Sequence, residues 1–168
     1  MIRVAVDDLA FVEADALVRP TTASLEPLSP ALRRLEQIGG PAFVQQLAMP
    51  MPLAVGAAVV TAGGDLAAEF VIHAVIASEV DPVTPSGVRR AITSVMQRAA
   101  DWELGRVATP LIGAGPGNLT LEDAARILVD TVATDMRATT YPKEVCIVVE
   151  TEEDREIVEA FIRGRTRL

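Results

Sequence analysis

The sequence predicts an α/β fold with three layers, α/β/α, around a central mixed sheet of about six strands. Three observations carry that prediction. Short runs of β-branched and apolar residues recur along the chain, amphipathic stretches of helical period separate them, and one pair of runs is joined by a Gly-Gly sequence suited to an antiparallel hairpin. In order, the runs are Ile2 to Val6, Asp15 to Val18, Ala57 to Thr61, Phe70 to Ala77, Arg106 to Ile112 and Val145 to Val149. They are nearly continuous in apolar character, which implies a sheet covered on both faces. Ala62-Gly63-Gly64-Asp65 accepts positive φ and can close a short hairpin between the third and fourth runs. A first helix is expected from Ser29-Pro30 to Gly39-Gly40. A second is capped by Ser86, carries the stripe Val88, Ala91, Ile92, Val95, Met96, Ala99 and Ala100, and has Gly105 beyond its end. Thr120 and Asp123 form a capping box ahead of Leu121, Ala124, Ala125, Leu128, Val129, Val132 and Met136. Thr151 repeats the device, with Glu152, Glu153 and Asp154 compensating the helix dipole ahead of Ile157, Val158, Phe161 and Ile162.

The length of 168 residues, half of them hydrophobic, fits one domain over residues 1–168, with residues 163–168 expected as a frayed tail. Fifteen basic residues stand against 23 acidic ones, for a net charge of -8. No nucleic-acid partner and no membrane partner are expected from such a balance, and an anionic ligand has to be held by local geometry. One cysteine, Cys146, and one histidine, His73, leave no internal disulfide and no multi-residue zinc site, so no metal and no cofactor are expected. The N-terminal stretch MIRVAVDDLAFVEAD interrupts any apolar leader with charge, which makes a cytoplasmic location the expectation.

Three of the 11 glycines fall in Gly113-Ala114-Gly115-Pro116-Gly117-Asn118, between a strand and a capped helix. Such a loop can aim backbone N–H groups and a helix N-terminus at a phosphate or diphosphate; it can equally be a tight turn that needs positive φ and binds nothing. A nucleotide-hydrolysing phosphate loop needs Gly-Lys-Ser/Thr, but Asn118 follows Gly117 and the one lysine is Lys143. The dinucleotide-binding fingerprint fails too, because Asn118 stands where its third glycine belongs.

Gly56-Ala57-Ala58-Val59-Val60-Thr61-Ala62-Gly63, then Leu66 and Phe70-Val71-Ile72-His73-Ala74-Val75, resembles the hairpin of the macro domain family. Thr109-Pro110-Leu111-Ile112 and the glycine loop after it resemble that family's diphosphate loop, and the resemblance covers most of the chain. It implies ADP-ribose binding and, in many members, processing of ADP-ribose-1″-phosphate (Appr-1-p). It further implies that Gly113 to Asn118 wrap the diphosphate, that Asp8 and Leu9 stand on the adenine side, and that Arg19, Thr21 and Thr22 border the distal ribose. The departures lie at that last end. Arg19-Pro20-Thr21-Thr22 replaces the family's Asn-Ala-Ala-Asn, and Pro27 to Leu32 replaces a glycine run with its aspartate. Thr22 thus stands for the asparagine and Leu32 for the aspartate that hydrolytic members use, and a leucine cannot orient or deprotonate water. Asp7 and Ala114 replace a glycine and a threonine of the pattern.

Read singly, Asp8 is either the adenine contact or a solvated loop acid. Arg19 either faces a phosphate or forms a structural ion pair. His73, in an apolar strand with no triad partner in view, reads as a packed histidine ahead of a base, and Cys146 as inert core. Arg155 is a candidate stacking substitute for an absent aromatic. The resulting expectation is a module for a small, ADP-ribose-like ligand. The alternatives are an ADP-ribosyl or O-acyl-ADP-ribose hydrolase of the same family, or an interaction domain on the same scaffold.

Overall fold

Six strands form one sheet in a computed structural model that describes residues 1–166 of the chain. They are β1 (Ile2–Val6), β2 (Ala16–Thr22), β3 (Ala58–Ala62), β4 (Phe70–Ala77), β5 (Arg106–Thr109) and β6 (Glu144–Val149), in the order β1-β6-β5-β2-β4-β3. Every neighbouring pair is parallel except β3 with β4, which is the antiparallel hairpin expected from the sequence. Its connection runs from Gly63 to Glu69, longer than the Gly-Gly turn alone.

Four helices, α1 (Pro30–Gln45), α2 (Pro85–Asp101), α3 (Leu121–Ala138) and α4 (Glu152–Thr166), complete the layers among the described residues. α2, α3 and α4 pack together on one face over a core that includes Ile72, Ile92, Val107, Leu128 and Ile147. α1 and a 3-10 turn, Leu9–Phe11, cover the other face above Leu17, Leu35, Phe43 and Val71. β2 shows the parity: Ala16 and Val18 enter the first core and Leu17 the second. No described helix is long and apolar enough to cross a membrane.

The boundaries that moved have local causes. β2 runs through Pro20 to Thr22 because β5 pairs with it only at Ala16 and Leu17, so the proline's missing N–H leaves no gap in that ladder. β5 stops before Pro110 rather than at Ile112. α2 is capped by Thr84, whose hydroxyl accepts from the Gly87 amide at 3.0 Å with Pro85 at the first position, and not by Ser86. Thr120 and Thr151 cap as expected, accepting from Asp123 and Asp154 at 3.2 and 3.1 Å. α1 breaks at Gly40 (φ 77°, ψ −175°), where the sequence suggests an end, and then continues through Pro41. α4 continues through the expected frayed segment to Thr166, with Arg165 3.3 Å from the Asp130 carboxylate of α3. Arg167 and Leu168 of that segment lie outside the described residues.

Candidate functional site

The parallel strands put the ends of β1, β2, β5 and β6 on one edge of the sheet. From β2 the chain leaves toward β4 on one side, and β5 lies on the other, so the topology reverses between β2 and β5. In open α/β sheets that reversal leaves a crevice suited to a ligand. The loop after β2 forms one rim and the glycine loop after β5 the other.

Gly113, Gly115 and Gly117 have φ of 90°, 147° and 77°. A side chain at Gly113 would stand 2.8 Å from Val88, whereas nothing lies within 4 Å of a Cβ at Gly117. The loop holds its shape through Asn118 N–H to the Gly115 carbonyl and Leu119 N–H to the Gly113 carbonyl, both 3.0 Å. The Gly113 and Gly117 amides have no acceptor among the described residues, and the first-turn amides of α3 at Leu121 and Glu122 are helix-end donors. Gly115, Pro116, Gly117 and Asn118 are exposed and Ala114 is half-buried. This rim is a set of uncharged donors at the positive end of a helix, fit to receive an anion.

Asp8 closes β1's end by capping the 3-10 turn, accepting from the Ala10 amide at 3.1 Å. It is also paired with Arg34 of α1, whose guanidinium lies 5.4 Å from the centroid of the Phe11 ring. The Arg34 hydrogen bond, opposed by burial and helped by the Ala10 amide, holds the Asp8 carboxyl below the usual aspartate range. Leu9 packs under the same turn.

Arg19, Thr21 and Thr22 end β2, and the first two are fully buried. Arg19 follows Leu17 on the α1 face and donates to the Leu25 carbonyl at 2.9 Å and to the Glu36 carboxylate at 2.6 Å. Desolvation lowers its pKa while Glu36 opposes that shift. Of the two readings open in the sequence, this is the structural ion pair. Arg19 also approaches His73 Nδ1 at 3.4 Å, and His73 Nε2 is 2.8 Å from the Thr61 hydroxyl. Because Arg19 can only donate, Nδ1 presents its lone pair and Nε2–H donates to Thr61. Burial, then the Arg19 charge, push His73 down to about 3, and Phe43 stacks on its ring at 5.9 Å. It is the packed histidine expected. Cys146 is likewise buried, and burial pushes its thiol up. Leu32 packs beside Leu35 and Phe43. Arg155 sits 2.7 Å from Glu152 on the exposed first turn of α4.

The structure therefore gathers the loops bearing Asp8, Thr22 and Gly113 to Asn118 at one sheet edge and keeps Arg19 inside. Glu36 and Arg34, the partners of Arg19 and Asp8, escaped notice in the sequence. Glu36 had a signal: Leu32, Leu35, Gly39 and Phe43 set the inner stripe of α1, and Glu36 falls within it. Arg34 had none, since its partner lies on a separate turn.

The family model described as Macro domain matches the chain over residues 22–128. A macro domain-containing protein of Streptomyces coelicolor is 34% identical over 141 residues, 79% of this chain and 83% of that protein. An uncharacterized protein of Aeropyrum pernix is 29% identical over 164 residues, 97% of this chain and 86% of that one. Against an uncharacterized Mycobacterium tuberculosis protein, 27% identical, the chain spans 35% of the relative's length. A mutant Oceanobacillus iheyensis macrodomain solved with ADPR superposes with a TM-score of 0.88 at 17% identity, covering 98% of this chain and 93% of that one. The Trypanosoma brucei macrodomain in complex with ADP-ribose gives 0.84 at 18% identity, covering 95% and 68%. At those identities the likeness is one of fold.

Proposed function

The chain belongs to the macro domain family, and on that premise we propose that it binds ADP-ribose or a related adenosine diphosphate metabolite at the crevice between β2 and β5, and does not hydrolyse it. The observation that carries this reading is the glycine rim. Its Gly113 and Gly117 amides are without protein acceptors among the described residues, and α3 begins immediately behind them. A diphosphate supplies the acceptors that those groups lack, and charge-assisted bonds to backbone donors are among the stronger ones. The O. iheyensis and T. brucei macrodomains, solved with ADPR and ADP-ribose, support the ligand class. Asp8, with Leu9 beside it, stands at the adenine end in this reading. No cofactor or metal enters it.

Two facts weigh against hydrolysis. Leu32 is packed against apolar neighbours and handles no proton. His73 is buried, neutral and held between Arg19 and Thr61. Calorimetry with ADP-ribose tests the reading, and absence of heat at millimolar ligand would overturn it. Gly115→Glu, at a position with φ of 147°, puts a carboxylate into the anion loop and should abolish binding; unchanged affinity would show that the loop is not the site. An assay on ADP-ribosylated protein and O-acyl-ADP-ribose should show no turnover.

A further inference from the structure

The sheet has two edges, and they are finished differently. At β3 the Gln46 carboxamide takes the place of a neighbouring strand: its oxygen accepts from the Ala62 N–H at 2.9 Å and its nitrogen donates to the Ala62 carbonyl at 3.2 Å. Just ahead of that strand, Arg90 and Ser94 of α2 donate to the Val55 and Gly56 carbonyls at 3.5 and 2.6 Å. Cover of this kind keeps a strand edge from pairing with another chain.

β1, at the other edge, pairs with β6 alone. The Met1 carbonyl accepts from the Val145 N–H and the Asp7 N–H donates to the Val149 carbonyl, so the odd-numbered residues turn their backbone groups toward β6. The N–H and C=O groups of Ile2, Val4 and Val6 therefore point away from the sheet, and no side chain among the described residues meets them. The strand carries no proline or glycine to spoil further pairing. Val6 is one of the few large apolar side chains left exposed.

We propose that β1 pairs antiparallel with β1 of a second copy of this chain, joining the two sheets across a twofold axis. Outward backbone groups belong to even-numbered residues only, so even must meet even. Charge selects among the registers that remain. With Ala5 on the axis, Arg3 of each copy stands opposite Asp7 of the other, and Val4 opposite Val6. Arg3 spends its Nε on Glu144 and keeps both terminal nitrogens without a partner among the described residues. Asp7 accepts from the Asp8 N–H through one carboxylate oxygen at 2.7 Å and leaves the other open. Val4 already packs against the main core, and in this register it covers the exposed Val6 of the second copy. A junction of one short strand with another buries little area, so the dimer is weak, with a dissociation constant of about 0.1–1 mM.

Sedimentation equilibrium of the full chain from about 10 µM to 1 mM tests the proposal and should show the average mass rising toward that of a dimer. Val6→Pro removes an N–H that points outward, so it spares the β6 ladder and should abolish association. Asp7→Arg sets like charges opposite each other at both crossings and should weaken association about fivefold or more while the folded circular dichroism spectrum is kept. A monomer at every concentration would overturn the proposal. So would a dimer that Asp7→Arg leaves at full strength, whatever Val6→Pro does to the fold.

Discussion

Arg19 carries its charge where no water reaches it, and its neighbours are arranged around that charge. The Leu25 carbonyl and the Glu36 carboxylate accept from it, and His73 turns its lone pair toward it. A proton on His73 would set a second positive charge in the same dry space. The folded protein therefore binds that proton only near pH 3, held off by burial and by Arg19, whereas an unfolded chain takes it up below about 6.5. Between those values the unfolded state holds more protons, so stability drops as pH falls. From pH 7 to pH 5 the wild-type chain should lose about 2 kcal/mol more than His73→Gln does. Urea unfolding of both at the two pH values checks this, and parallel slopes would contradict it. Strand parity in the sequence already puts Arg19 beside Leu17. Its partner is not legible there, because only the packing of α1 brings Glu36 over the strand.

α1 is two helical segments meeting at Gly40, and the positive φ of the junction is what calls for glycine. At φ 77° a side chain there is strained, and its Cβ would stand 2.8 Å from the Asp65 carboxylate in the β3–β4 connection. Gly40→Ala should destabilise the fold by about 1–2 kcal/mol, read as a shift in the urea midpoint without a change in slope. A neutral result would mean the connection moves aside at no cost. The Gly39-Gly40 pair marks this break in the sequence, but the continuation after it is not marked, although Pro41 suits the first position of the second segment. Caps at Thr120 and Thr151 were legible because a cap is decided within four residues. Thr84 was not, because Ser86 offers the same hydroxyl two positions on and only the helix start at Pro85 separates them. The ends of β2 and β5 depend on which neighbour continues the ladder, and that is a fact of the assembled sheet. The glycine loop was legible as a place that needs positive φ, which Gly113, Gly115 and Gly117 adopt.

A net charge of -8 opposes an anionic ligand over the whole surface. The fold answers that field locally. Its parallel strands place the ends of β1, β2 and β5 on one edge, where the direction of the connections reverses between β2 and β5. The loop after β5 presents neutral amides at a helix start, and on the proposed reading these meet the diphosphate. The central claim is that these amides hold the ligand, and an amide-resolved NMR titration with ADP tests it most directly. The account predicts that the largest shift changes fall on Gly113, Gly115 and Gly117 and on the first turn of α3. Saturable binding whose shift changes miss the glycine loop would contradict it.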